Sequence, residues 1–139
     1  MNKYGRVYHK IHDKAINGED FKICLFELKN ACLSLEINDP VIILDNARIH
    51  HYSGFSSMIE SLNLNLQYLP AYSPFLNPIE NCFSIWKNYV IRMEALNETQ
   101  LKNFIDFGFN EVTPDNCDSF YRKMLRYINR SANSEVILE

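Results

Sequence analysis

The sequence feature that most constrains the fold is a run of four apolar residues, Val41–Leu44, in which three side chains are β-branched. Pro40 precedes the run and Asp45 follows it. A short continuous apolar run of this kind is typical of a strand that is covered on both faces, as in an α/β sheet. The run therefore predicts a central strand, with Asp45 directly beyond its carboxyl end.

Four helices are predicted from cap residues that are followed by apolar side chains at helical spacing. The first has Asn17 as its cap and Asp20 in its first turn. Asn77 and Pro78 form a second start, because proline is favoured at the first helical position. The predicted helices begin after Asn17, Asn77, Asn97 and Thr113, and a weaker helical stretch lies between Ile49 and Leu62.

Two further segments predict short strands. Residues 7–12 alternate in the pattern of a half-buried strand, and residues 66–69 are largely apolar. The order strand, helix, strand, helix, strand predicts an α/β fold, with a short mixed sheet packed against helices and additional carboxy-terminal helices. Residues 1–130 are expected to form one domain, and residues 131–139 a tail.

Composition limits the classes of protein that this chain can belong to. Apolar residues make up 47% and charged residues 22% of the sequence, which is a globular composition. The net charge of −3 argues against a chain that holds a nucleic acid by bulk positive charge alone. No stretch approaches the roughly 18 apolar residues of a membrane span. We therefore expect a soluble intracellular protein, with no membrane partner.

Asp45 is the first candidate for chemistry, because ligands of open α/β sheets bind just beyond the carboxyl ends of strands. A plainer interpretation is equally open, in which Asp45 and Asn46 only shape a turn or cap the next helix. A single aspartate does not decide between the two.

Glu80 is the second candidate, at the third position of the helix that Asn77 is predicted to cap. An acid at this position often bonds back to the cap residue and complements the helix dipole, which gives Glu80 a purely structural alternative. However, Pro70, Pro74 and Pro78 make a stiff loop before it. A rigidly held carboxylate opposite a strand-end carboxylate is typical of a Mg²⁺ site.

Two blocks of the sequence resemble the signature blocks of DDE transposases of the mariner-like superfamily and related insertion sequences. They are DNARIH at residues 45–50 and YLPAYSPFLNPIE at residues 68–80. In that family 34 residues separate the second catalytic aspartate from the final acid, and 34 residues lie between Asp45 and Glu80 here. The resemblance is strongest over residues 41–92, although Ala71 and Phe75 stand where the family frequently has proline and aspartate.

The resemblance implies a truncated RNase H-like fold, dependence on Mg²⁺ or Mn²⁺, and cutting and joining of transposon DNA ends. It makes Asp45 and Glu80 the second and third catalytic carboxylates and ligands of the metal. Asn46, His50 and Asn77 fall within the two blocks and become candidate site-lining residues. A structural role for His50, and for the neighbouring His51, remains the alternative.

DNA contacts are the next expectation. Lys87 lies in a stretch that resembles the family's Trp-x-x-Leu-Lys region, beginning at Trp86. Arg122, Arg126 and Arg130 recur every four residues and form one basic helical face. These four residues are candidate DNA contacts, although a solvated face is an open alternative for the arginines.

The family's first catalytic aspartate and its helix-turn-helix region lie upstream of the matching blocks, and only 44 residues precede Asp45 here. We therefore expect that this chain lacks both and is inactive when isolated. The alternative is an inactive remnant, or a module that binds DNA or protein without catalysis. A truncated sheet is expected to pair residues 7–12 with Val41–Leu44, or to self-associate as a homo-oligomer. In a eukaryotic host the expected location is the nucleus.

Overall fold

The computed structural model describes residues 1–47, 55–135 and 137. Within these residues the chain divides into two compact units. We call Val7–Ser73 the sheet unit, and Met1–Arg6 together with Pro74–Glu139 the helical unit. The elements are α1 (Gly18–Ser34), β1 (Val41–Leu44), α2 (Phe55–Ser61), β2 (Asn65–Tyr68), α3 (Pro78–Arg92), α4 (Glu98–Phe109) and α5 (Pro114–Ala132), with a 3₁₀ turn at Pro74–Leu76.

The sheet unit contains a parallel pair of strands. β1 pairs with β2 in a register that sets Val41 beside Asn65 and Leu44 beside Tyr68. The ladder continues for one more bond, because the Leu69 N–H donates to the Leu44 carbonyl oxygen at 2.8 Å. The predicted strand at residues 41–44 is confirmed, and the strand predicted at 66–69 lies one residue earlier.

β1 is covered on one face only, so the expectation of a strand covered on both faces is wrong. Ile42 and Leu44 pack against the buried cluster of Leu25, Phe55 and Met58. Val41 and Ile43 point the other way, and each is 52% exposed. The apolar character of the run does not distinguish the two faces, since all four residues have the same kind of side chain.

Residues 7–12 do not form a strand, which corrects the prediction that they pair with β1. The side chains of Tyr8 and Lys10 both bond to the Glu27 carboxylate of α1, the latter at 2.8 Å. A ring nitrogen of His12 lies 3.4 Å from the Cys24 sulfur on the same helix. The alternation correctly indicates that every second side chain of this segment contacts a neighbouring element. That element is helix α1 and not a strand. In the described residues the sheet therefore has two strands, not three.

Helix α1 begins as its sequence predicts. The Asp20 N–H donates to the Asn17 side chain at 2.9 Å, and the Asp20 carboxylate accepts from the Asn17 N–H at 3.2 Å. This reciprocal pair is a capping box, which satisfies backbone donors that the first turn would otherwise leave unpaired. The same helix then buries Leu25 and Cys32.

The helical unit packs α3 against α4 and α5. Its buried residues are Cys82 on α3, Val112 in the connection that follows α4, and Cys117 on α5. Burial raises the pKa of the Cys82 thiol to about 12, so this group stays protonated at neutral pH. In both units, no helix of the described ranges is long and apolar enough to span a bilayer.

Candidate functional site

Asp45 lies directly after the last residue of β1, at the carboxyl end of the parallel pair. Its side chain is exposed, and its Oδ1 accepts a hydrogen bond from the Ala47 N–H at 3.3 Å. The turn contact that was the plainer interpretation of Asp45 is therefore present.

Glu80 occupies the third position of α3, after a cap formed by Asn77. The Asn77 side chain accepts from the Ile79 N–H at 3.4 Å. The third residues of α1 and α5, Asp20 and Asn116, bond back to the N–H of their cap residues, and Glu80 does not. The capping role that was the structural alternative for Glu80 is not formed here.

The Glu80 side chain is exposed and has neither a hydrogen bond nor an ion pair within the described part of the chain. A carboxylate that caps no helix and neutralises no base is free to accept an external ligand. The amino-terminal end of α3 favours negative charge at this position. These features fit an oxygen ligand for a divalent cation.

A cleft of about 250 Å³ opens beside Glu80 within the helical unit. Phe75 forms part of its wall, and the Phe75 ring packs against Tyr127 of α5 with 5.4 Å between the ring centres. This contact explains a large apolar residue where the family frequently has aspartate. The residues that line the cleft are Pro74, Phe75, Glu80, Asn81, Ser84, Lys123 and Met124.

Lys123 is a basic cleft residue that neither of the two sequence blocks contains. Its Nζ donates a hydrogen bond of 3.4 Å to Oδ1 of Asn81 and lies 5.9 Å from the centre of the Tyr127 ring. Asn81 is 42 positions away along the chain, so no local pattern connects the two residues. Only the packing of α3 against α5 reveals that Lys123 and Glu80 line the same cleft.

The four candidate DNA contacts have different surroundings. Arg122 pairs with Asp118 at 3.2 Å, and Arg130 pairs with Glu135 at 3.1 Å. Residues 119–130 contain no acid, so the sequence of this segment predicts a basic helical face. Asp118 and Glu135, which form the two ion pairs, lie outside that segment. The exposed side chains of Lys87 and Arg126 have no acidic partner among the described residues. Their contact with DNA remains a prediction.

The remaining candidate site residues are divided between the two units. Asp45 and the exposed Asn46 belong to the sheet unit, whereas Asn77 and Glu80 belong to the helical unit. The predicted convergence of Asp45 and Glu80 therefore stays a prediction. His50 and the neighbouring His51 lie outside the described residues.

The donor chemistry of the two acids can be compared with what a metal requires. Mg²⁺ prefers oxygen ligands, and proteins usually bind it through one or two carboxylates together with waters and substrate phosphates. Asp45 and Glu80 fit that donor set as exposed carboxylates. No group of three or more histidine, cysteine or acidic side chains suited to a metal occurs among the residues that the structure describes.

The family described as DDE superfamily endonuclease matches residues 1–102 of this chain. No curated protein matches the sequence at a significant level.

Solved structures of the Mos1 mariner transposase have the same fold as this chain. The Mos1 catalytic domain solved with raltegravir and Mn is 17% identical, with a TM-score of 0.80, and the match covers 100% of this chain and 74% of that one. A crystal structure of the same domain is 15% identical, with a TM-score of 0.79, and the match covers 99% and 73% of the two chains. In a pre-cleavage Mos1 transpososome, at 17% identity and a TM-score of 0.80, the match covers 99% of this chain but only 43% of that one. The predicted RNase H-like fold is confirmed.

Proposed function

The chain belongs to the DDE superfamily endonuclease family, and we propose that it forms part of a transposase catalytic domain that cuts and joins DNA ends. The observation that carries this proposal is the Glu80 carboxylate at the start of α3, which has no partner among the described residues and is separated from the strand-end Asp45 by 34 residues. Mos1 structures support it by similarity, because they include a paired-end complex with Mn and a pre-cleavage transpososome.

In this proposal Asp45 and Glu80 together hold Mg²⁺ or Mn²⁺. Mos1 catalytic-domain structures with each of these metals support the choice of ion. A divalent ion in such a site activates an attacking water or hydroxyl group and stabilises charge on the departing phosphoester oxygen. Asn77 fixes the start of α3 and so orients Glu80, while Asn46 and His50 remain candidate site-lining residues.

The proposal also concerns activity. We infer that residues 1–139 contain two of the three carboxylates that the family's chemistry needs. Two acids upstream of Asp45 already have partners, because Asp20 completes the capping box of α1 and Glu27 bonds to Tyr8 and Lys10. With only two of these carboxylates to supply ligand charge, the isolated chain should bind metal weakly and nick DNA negligibly.

A Mn²⁺ titration of the 139-residue chain by calorimetry tests the metal assignment. Asp45→Asn and Glu80→Gln should each abolish the binding that the unaltered chain shows. Glu98→Gln is the matched control, because Glu98 is also an acid in the first turn of a helix with an asparagine cap. Binding that survives Glu80→Gln would contradict the assignment and favour a module that binds DNA or protein without catalysis.

A nicking assay on plasmid DNA with Mg²⁺ or Mn²⁺ tests the inference about activity. The unaltered chain should leave the plasmid supercoiled, because two carboxylates leave the site short of ligand charge. Robust nicking that Glu80→Gln abolishes would show that residues 1–139 are sufficient for cleavage.

DNA ends are the proposed partner. The exposed basic residues Lys87 and Arg126 are the stronger candidates for contact. Arg122 and Arg130 would first have to break their ion pairs with Asp118 and Glu135. Self-association through the outer edge of β1 is a further part of this proposal. In a eukaryotic host, a protein that acts on chromosomal DNA would work in the nucleus.

A further inference from the structure

We propose that the cleft beside Glu80 binds a phosphodiester group of a DNA strand, and that Lys123 is the residue that contacts the phosphate. The inference deepens the proposed function and rests on it, because it takes Glu80 as a metal ligand. It adds a binding residue on α5, outside the two sequence blocks that resemble the family.

The cleft is rich in hydrogen-bond donors that have no acceptor in the described residues. The Lys123 ammonium carries three N–H donors, and its one hydrogen bond is to Asn81. Asn81 accepts that bond through its oxygen, so its NH₂ group remains available. The Ser84 hydroxyl lines the same cleft and has no partner among these residues. Phosphate oxygens are acceptors, so the three side chains together match a phosphodiester.

Charge in the cleft favours a phosphate together with a cation. Glu80 and Lys123 line one cleft of about 250 Å³, yet they form no ion pair in the described structure. The carboxylate is thus available to a cation and the ammonium to an anion. Mg²⁺ in proteins is commonly shared between one or two carboxylates and a substrate phosphate. Without a cation, the Glu80 carboxylate would repel a phosphate in this cleft. Phosphate binding should therefore depend on the metal.

Lys123 has an exposed side chain with two neighbours in the cleft. Its Nζ is held between Asn81 on α3 and the Tyr127 ring, which in turn packs against Phe75. Arg122, the next residue on α5, does not line the cleft and pairs with Asp118 while 70% of its side chain is exposed. Of these two adjacent basic residues, Lys123 lines the cleft and Arg122 does not.

The test is a titration of a short labelled single-stranded oligonucleotide with the 139-residue chain in Mg²⁺, followed by fluorescence anisotropy at several salt concentrations. Lys123→Gln should weaken binding about tenfold and reduce the salt slope by about one, as expected for the loss of one phosphate contact. Lys22→Gln removes the same charge from an exposed position of α1 and should leave both quantities almost unchanged. Lys123→Arg should restore most of the affinity, which a merely structural lysine does not require.

Two results would overturn the inference. Equal weakening by Lys123→Gln and Lys22→Gln would mean that only overall charge matters, and no effect of Lys123→Gln would mean that the cleft is not used. Failure to detect any binding by the unaltered chain would also count against it.

Mn²⁺ binding, and not DNA affinity, is the measurement that tests the proposed metal site. If Glu80→Gln abolishes Mn²⁺ binding while Lys123→Gln leaves DNA affinity intact, the metal assignment stands and the phosphate contact falls. If Glu80→Gln leaves Mn²⁺ binding intact while Lys123→Gln weakens DNA binding, the phosphate contact stands without that metal ligand.

Discussion

The indole N–H of Trp86 donates a hydrogen bond of 2.6 Å to the carbonyl oxygen of Ile105, and this bond joins α3 to α4. Gly108 lies next to the indole. A Cβ atom at Gly108 would stand 2.6 Å from Cδ1 of Trp86 and 2.8 Å from Cδ1 of Tyr89. The close approach of the two helices therefore requires glycine at this position.

Gly108→Ala should destabilise the chain by about 1–3 kcal/mol, because overpacking forces the two rings to move. The helix propensity of alanine would offset at most about 1 kcal/mol of this. Urea denaturation measures the change, with Asn103→Ala as the control at an exposed position of the same helix. If Gly108→Ala is as stable as Asn103→Ala, the rings do not block this position.

Arg6 ties the start of the chain to the end of α4. Its guanidinium donates to the Phe109 carbonyl oxygen at 2.7 Å and to the Asn110 side chain, and it lies 5.1 Å from the Phe109 ring centre. Arg6→Ala should lower the free energy of unfolding by about 1–3 kcal/mol, as for other hydrogen bonds to charged groups.

Lys3→Ala is the control for this prediction, because the recorded contact of Lys3 is with the ring of the neighbouring Tyr4. Thermal or urea unfolding should show little change for that variant. Equal stability of the two variants would mean that Arg6 does not hold the terminus in place.

Glu27 should make stability depend on pH. Its bonds to Lys10 and then to Tyr8 hold the pKa of the Glu27 carboxyl below its usual range. A lowered pKa in the folded state contributes stability above the unfolded pKa, and this contribution is lost as pH falls through the folded value. As pH falls below the usual titration range of a glutamate carboxyl, the stability advantage over Glu27→Gln should therefore shrink.

The same cluster should weaken at high pH. The Glu27 bond raises the pKa of Lys10, and burial raises that of Tyr8, so their contributions are present below the unfolded values and lost as pH rises through the folded ones. Urea midpoints across the pH range measure both limbs. Glu60→Gln is the control, because Glu60 has no side-chain partner in the described part of the sheet unit. Parallel curves for the unaltered chain and Glu27→Gln would refute the coupling.

The sheet shows what local sequence can and cannot predict. The strand at residues 41–44 was predictable, because β-branched residues next to a proline and an aspartate leave few alternatives. Its exposed face was not, because Val41 and Ile43 are as apolar as Ile42. The segment at residues 7–12 was misassigned for a related reason, since alternation does not tell whether the partner is a strand or a helix.

The candidate site also combines features that the sequence predicts with features that it does not. Glu80 and its cap were predictable, because Asn77, Pro78 and the acid form a local signal for a helix start. Lys123 was not, because it meets Asn81 only through tertiary packing. Pairing of Arg122 with Asp118 also depends on side-chain positions that spacing alone leaves undecided.

The exposed face of β1 leads to a prediction about association. Val41 and Ile43 are each 52% exposed, and the outer edge of β1 has no paired strand in the described residues. Exposed apolar edges pair with other chains, so light scattering should show a molecular mass that rises with concentration.

Ile43→Lys should reduce this association, because edge lysines oppose pairing between strands. Ile23→Lys is the control. Ile23 is 50% exposed on a helix, so this substitution removes a similar amount of apolar surface away from the strand edge. A monomeric unaltered chain at every concentration, or equal effects of the two substitutions, would disprove association through β1.

The central claim is that Asp45 and Glu80 bind the same metal ions. Iron-mediated cleavage of the polypeptide tests it directly, because Fe²⁺ bound in place of Mg²⁺ reduces added hydrogen peroxide to hydroxide and a hydroxyl radical, and that radical cuts the backbone near the ion. If both acids bind the ions, cuts appear beside residue 45 and beside residue 80, and both sets are lost in Asp45→Asn and also in Glu80→Gln. Cuts beside only one of the two residues, or cuts at one that persist when the other is substituted, would contradict it.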